Sequence, residues 1–280
     1  MRTCICTAFS LLLCLPLFAQ TGDETHSKKA IFADSSSWTA TNPGQVTLAN
    51  FEPFRAEYER KYTQGSGPNQ GQPRVDRVVI CADYAGWNGR KAINLTLWDT
   101  GAPEYADTNG RVFSQYFDSG SLQLLYEMGP IPGTALSYYT LRNTGEGWMS
   151  ARIETDKGRV ENKYFEFKMP GFGAPAPWVF GSLDLQEGKK IRLDPAISFG
   201  GGILTNYAPA RVVEQVSHRA KDGRTYRAWV LESVNNVKNP WMIQTLVIAR
   251  PPYLITRKSV NADTGEEKVY MELVKFHVFD

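Results

Sequence analysis

Cysteine and histidine are both scarce in this 280-residue sequence, with four of the former and three of the latter. Cys4, Cys6 and Cys14 lie close to the N-terminus, so Cys81 stands alone in the rest of the chain. A lone cysteine cannot close an internal disulfide, and the fold has to be held by its core. Cys81 sits in the apolar run Val78-Val79-Ile80-Cys81-Ala82 and reads as a small packed hydrophobe rather than a nucleophile. With so few histidines and no cysteine cluster, neither a zinc site nor another cofactor is expected. A surplus of one charge is missing as well. The 31 Lys and Arg face 29 Asp and Glu, for a formal net charge of +2. That balance makes no electrostatic case for binding nucleic acid or an anionic membrane. Beyond the N-terminus no stretch approaches the roughly 20 apolar residues of a membrane-spanning helix.

The one strongly apolar run is N-terminal. Met1-Arg2 is followed by an apolar stretch from Ala8 to Phe18, broken by Pro16, and then by Ala19-Gln20. A basic start, a short apolar core and a small residue at its end make a secretory signal. The sequence thus predicts a signal peptide over residues 1–19, cleavage between Ala19 and Gln20, and a periplasmic or extracellular destination. Lipidation at Cys14 is disfavoured, because Leu13 stands where a small residue is required and the run stays apolar after it.

Residues 20–50 are polar and rich in small side chains, as in Asp34-Ser35-Ser36-Ser37, and predict a loose arm. Residues 51–280 predict a single β domain. Gln64 to Pro73 is a glycine-rich connector, with no strand-to-helix context for a phosphate loop. From Arg74 onward, strand-like runs alternate with turn chemistry. Arg77–Tyr84 and Lys91–Trp98 flank Asn88-Gly89, a hairpin signal because both residues tolerate positive φ. Similar pairs surround Asp118-Ser119-Gly120, Asp156-Lys157-Gly158 and Asn261 to Gly265, and Thr225–Val234 follows Asp222-Gly223. Consecutive hairpins make a meander. The expected fold is all-β, with one or two short helices at most: an antiparallel meander forming a curved sheet, half-barrel or open barrel. Two segments, 51–62 and 209–220, fit helical spacing about as well as alternation, and we assign both to strands. The Pro-rich stretch from Pro170 to Trp178 reads as a loop presenting its aromatics.

Catalytic signatures are absent. There is no Gly-x-Ser-x-Gly, Ser-x-x-Lys or His-Glu-x-x-His. His26 lies in the loose arm, and His218 and His277 are better explained as surface or packing residues than as members of a triad. Glu57 and Glu59 share one face of a strand, as paired catalytic acids could, but Arg55, Arg60 and Lys61 beside them suit a solvated salt-bridged strand. Asn94-Leu95-Thr96 matches a glycosylation acceptor but falls inside a strand. Aromatics are the abundant class, with 7 Trp, 13 Tyr and 14 Phe. Trp87, Trp98, Phe172, Trp178, Trp229, Trp241 and Tyr253 are the candidates for a ligand-lining face, against the plainer role of core packing.

The second half resembles bacterial exported proteins known only as a domain of unknown function. Three stretches carry the resemblance: Trp178 to Lys190; Arg211 to Glu232 with its Tyr226-Arg227-Ala228-Trp229-Val230 strand; and Trp241 to Val274 with Pro252 to Lys258 and Tyr270 to Val274. It covers Arg74 to Asp280 and implies a curved antiparallel sheet akin to the half-barrels of periplasmic lipoprotein carriers. It brings no catalytic residues. The expected role is non-enzymatic: binding or carriage of an apolar or lipid-like ligand, or of a partner protein. The alternatives are a carbohydrate-binding or carbohydrate-hydrolysing β-sandwich, and an assembly component that pairs through a strand edge.

Overall fold

The computed structural model describes residues 32–46, 48, 51–63, 71–99, 111–130, 137–154, 157–166, 172, 177–199, 203–234 and 241–279. Its strands are β1 (Ala40–Thr41), β2 (Phe54–Thr63), β3 (Pro73–Trp87), β4 (Arg90–Asp99), β5 (Arg111–Asp118), β6 (Leu124–Pro130), β7 (Ser137–Asn143), β8 (Trp148–Glu154) and β9 (Arg159–Phe165). The short helix α1 (Pro177–Gly181) follows, and then β10 (Lys190–Phe199), β11 (Ile203–Arg219), β12 (Thr225–Ser233), β13 (Trp241–Val247), β14 (Leu254–Asn261) and β15 (Glu267–Val278). Both ambiguous segments are strands over most of their length, 54–62 in β2 and 209–219 in β11.

All these strands belong to one sheet, in the order β1-β10-β11-β12-β13-β14-β15-β2-β3-β4-β5-β6-β7-β8-β9. The chain therefore makes two meanders, β2 to β9 and β10 to β15. They join where β15 lies antiparallel to β2, with Met271 opposite Arg60 and Val278 opposite Phe54. Among the described strands only the short β1 pairs in parallel, along β10. Turn chemistry accounts for the local pairings. Asn88 and Gly89 take φ of 47° and 77° between β3 and β4. The Asp118 carboxylate accepts from the Gly120 and Ser121 amides at 3.0 and 2.9 Å, closing the turn into β6.

The sheet curls. Gly181 of α1 lies so close to the β13–β14 turn that a Cβ there would stand 2.5 Å from the Ile248 carbonyl oxygen. Trp178 of the same helix meets Phe117 of β5 edge-on, with ring centroids 5.2 Å apart. In a flat sheet β5 and β13 would lie about 29 Å apart, six strand spacings. A five-residue helix is only about 7.5 Å long, so the sheet must wrap around it. The curl does not close, since among the described residues the order ends at β1 on one side and β9 on the other.

From β2 to β8 and from β10 to β15, one row of each strand faces the core inside the curl. Phe54, Ala56 and Tyr58 of β2, Ile93, Leu95 and Leu97 of β4, and Phe113 and Phe117 of β5 are all buried in one cluster. Each large side chain among them contributes about 1.5–3 kcal/mol by leaving water. The β2 row ends in charge: the Arg60 guanidinium lies opposite Asp76, donating from Nε at 2.8 Å and also from Nη2, and both residues are buried.

One expectation needs correction and one needs refinement. Within residues 32–46 of the expected loose arm, three apolar side chains are packed while most of the rest are exposed. Phe32 and Trp38 form a small cluster with Val234 and Met242, Val46 joins the main core, and β1 extends the sheet. Isolated apolar anchors outweigh the polar composition around them. The aromatics of the Pro-rich stretch are not presented to solvent either, since Phe172 is 0% exposed and Trp178 7%. Trp178 lies in α1, whose position inside the curl buries it. No helix among the described residues is long and apolar enough to cross a membrane.

Candidate functional site

Alternation along β5 puts Phe113, Gln115 and Phe117 in the inward row, so an amide stands in a line of core phenyls. Register then sets Glu127 of β6 opposite Gln115, Leu141 of β7 opposite Glu127, and Tyr139 opposite Gly129. Gln115 is 0% exposed, Glu127 2% and Tyr139 7%. Gln115 Nε2 donates to one Glu127 carboxyl oxygen at 2.7 Å, and the Tyr139 hydroxyl donates to the other at 2.8 Å. Gly129 makes this arrangement fit. A Cβ at that position would stand 2.9 Å from the Phe113 ring and 3.0 Å from the Tyr139 ring. Without that methyl group the Tyr139 ring can lie flat enough to reach the acid.

Burial pushes the Glu127 carboxyl above its ordinary range, and the bonds from Gln115 and Tyr139 offset this only in part. The site therefore favours an uncharged acid. Among the described residues, two polar atoms facing the same core find no hydrogen-bond partner: Gln115 Oε1, an acceptor, and Trp178 Nε1, a donor. They flank Phe117, which neighbours Gln115 along the inward row and touches the Trp178 ring. Chemically, this wall is apolar with one unmet acceptor, one unmet donor and a buried acid–amide–phenol group.

The aromatics singled out in the sequence divide among several places. Phe172, Trp178 and Tyr253 share the main core, and half-buried Trp229 packs against it. Tyr253 meets Phe54 at 6.1 Å, and burial raises its hydroxyl pKa. Trp87 lies on the outer face, stacked on Tyr126 at 4.6 Å and tilted over Tyr116 at 4.8 Å. Half-buried Trp98 is also in an outward row, opposite Val79. The Lys268 ammonium sits 4.3 Å above the Trp241 ring at the hairpins of the other meander. Ala19 and Gln20 lie outside the described residues. The residues that sequence reasoning missed are Gln115, Glu127 and Tyr139. The signal that could have found them is a polar side chain at the inward phase of an alternating strand, as in Phe113-x-Gln115-x-Phe117.

The remaining motifs are accounted for structurally. His218 Nε2 is 3.2 Å from the Thr256 hydroxyl and 3.8 Å from the Glu272 carboxylate. Both neighbours are on the same ring nitrogen, whereas a triad sets its acid and its nucleophile on opposite nitrogens. Glu57 pairs with Arg55 at 3.3 Å and Arg77 at 3.7 Å. Glu59 accepts from Lys221 at 2.6 Å, a bond that holds its carboxyl below the usual range. Asn94 donates to the Ser114 hydroxyl at 2.9 Å and accepts from Thr96, so its amide is engaged within the sheet. Cys81 is half-buried, and burial raises its thiol pKa. Among the described residues no cluster of potential ligands could hold a metal ion.

No family model matches the sequence, and no curated protein matches it. Among solved structures the chain is similar to a β-barrel-like protein of domain of unknown function DUF1849 from Brucella abortus, with a TM-score of 0.50 at 10% identity over 82% of this chain and 99% of that one. At such identity the likeness concerns the fold alone, and it agrees with a curved, barrel-like sheet of the kind found in a domain of unknown function.

Proposed function

We propose that this chain is an exported cell-envelope protein whose inner sheet face binds, without catalysis, an apolar or lipid-like molecule carrying one hydroxyl, amide or carboxyl group. The observation that supports this reading is the pair Gln115 Oε1 and Trp178 Nε1, unmatched among the described residues and set in a largely apolar core. Each such atom costs about 1–3 kcal/mol while it stays unpaired. A ligand with an acceptor and a donor at one end offsets both costs, while its apolar body packs on Phe117, Tyr253 and Phe172. Burial that works against the charged form of Glu127 suits a ligand of low charge. Export is inferred from the N-terminal pattern.

The test uses protein purified from cells expressing the whole chain. Native mass spectrometry is expected to reveal a co-purifying lipid-sized adduct, and a brominated fatty acid is expected to quench the tryptophan fluorescence. Gln115→Leu removes the unmet acceptor and should weaken quenching about tenfold, the worth of one neutral hydrogen bond. Absence of both the adduct and the quenching would sink the reading. A second reading rests on the outer trio Trp87, Tyr116 and Tyr126, whose rings lie together on the outward face. Such a group of amphipathic rings is a surface on which a sugar can pack. Glycan-array binding that is lost in Trp87→Ala, with no fatty-acid quenching, would favour it.

A further inference from the structure

The last strand of the sheet departs from the pattern of the others. From Arg159 to Tyr164 every side chain of β9 is exposed, Val160 at 59% and Tyr164 at 50%. Register sets Val160 opposite Ile153, Asn162 opposite Ala151 and Tyr164 opposite Met149, while Glu161 lies opposite Arg152 and Lys163 opposite Ser150. Trp148 and Ser150 are the buried row of β8, so Glu161 and Lys163 share the inward row and Val160 and Tyr164 the outward one. At this end of the sheet the charges lie inside the curl and the apolar side chains outside. Half-buried Met149, Ala151 and Ile153 widen the outer apolar strip. Among the described residues no strand lies beyond β9, so its outer backbone edge can receive one.

The residue order of β9 indicates which strand it receives. We infer that β9 pairs with β9 of a second copy of this chain, antiparallel about a two-fold axis at Asn162. In that register Val160 faces Tyr164 of the other copy and Glu161 faces its Lys163, each pair occurring twice, and Asn162 faces its equivalent. Apolar meets apolar on the outer face, and opposite charges meet on the inner face. From Val160 to Tyr164 the strand is thus complementary to its own reverse, as an isologous contact requires. Beyond that stretch Arg159, which pairs with Glu161 of its own strand at 3.7 Å, would stand opposite Phe165. A shift by one residue would put Glu161 opposite Asn162 and Val160 opposite Lys163, so the pattern selects a single register. This inference does not depend on the ligand proposed above.

The test again uses protein purified from cells expressing the whole chain, with sedimentation velocity over a concentration series. A reversible dimer is expected. Glu161→Lys sets lysine opposite Lys163 twice and should weaken the dimer roughly ten- to a hundredfold, because like charges directly opposed across strands destabilise a sheet. The double variant Glu161→Lys/Lys163→Glu restores opposite charges and should recover the dimer. Under mild oxidation Asn162→Cys should crosslink two copies, whereas Lys157→Cys, outside the paired stretch, should not. These side chains are exposed, so the variants leave the monomer folded, which circular dichroism checks. A protein that stays monomeric at all concentrations overturns the inference. So does a dimer that is indifferent to Glu161→Lys or not recovered by the charge swap.

Discussion

A carboxyl group buried against an amide and a phenol, as Glu127 is, makes stability depend on pH with a definite sign. Its pKa in the folded protein is raised, chiefly by burial. The uncharged form is therefore the one that the native state favours. Its stabilising contribution is present in full below the ordinary glutamate range and is lost as pH rises through the raised folded value. Glu127→Gln carries no titrating group, so wild type should lose stability relative to this variant as pH rises. Urea unfolding of both proteins across a pH series checks this, and a difference that stays flat with pH contradicts it. Gly129 belongs to the same group of contacts for a steric reason. A methyl there would press on the Phe113 and Tyr139 rings at about 3 Å. Gly129→Ala should destabilise by about 1–3 kcal/mol, the usual cost of overpacking, and should shift Tyr139 away from Glu127. A variant as stable as wild type would show that the rings yield freely.

Among the elements, legibility in the sequence follows the range of the interaction. Turns formed by adjacent residues could be read directly. Asn88-Gly89 and Asp118 to Gly120 stand where the chain reverses, and in the 261–265 turn the Asn261 side chain accepts from the Asp263 and Thr264 amides. The pairing of β15 with β2 could not be read, because it joins residues about two hundred positions apart and no local feature marks it. The candidate site was missed for a related reason. Gln115 and Glu127 are ordinary surface residue types, and only the register of β5 on β6 brings them together inside. Trp178 is among the ligand-lining candidates, but its stretch reads as an exposed loop because Pro175 and Pro177 break any periodicity. The five-residue α1 that follows is kept in place by tertiary contact rather than by helix propensity. That dependence is testable at Gly181, where a Cβ would come within 2.5 Å of the Ile248 carbonyl oxygen. Backbone cannot yield as a flexible side chain can. Gly181→Ala should push α1 off the β13–β14 turn, destabilise the protein by about 1–3 kcal/mol and change the Trp178 environment, which near-UV circular dichroism reads.

For the whole molecule, the question is whether two meanders sharing one sheet behave as one folding unit. Their seam is the β15–β2 pairing, and the buried Arg60–Asp76 pair stands on it, with Met271 of β15 opposite Arg60 on one side and Asp76 of β3 on the other. Removing one partner of such a pair leaves the other charged and buried, at a cost of about 3–5 kcal/mol. Asp76→Asn keeps the volume but withdraws the charge, so the loss should fall on the seam itself. Because the main core runs without interruption from β2 through β8 and from β10 through β15, neither meander has an apolar face of its own to retreat to. Unfolding should then remain a single transition in the variant, moved to lower denaturant but with an unchanged slope. Tryptophan fluorescence and far-UV circular dichroism should report the same midpoint. If the two probes separate, or if Asp76→Asn melts one set of tryptophans while strand content persists, the meanders are independent units and the seam is only a contact between them. One coincident, displaced transition means that the open curl is stable only as a whole, with the Gln115–Glu127–Tyr139 wall in one meander and α1 lodged against the other belonging to the same cooperative core.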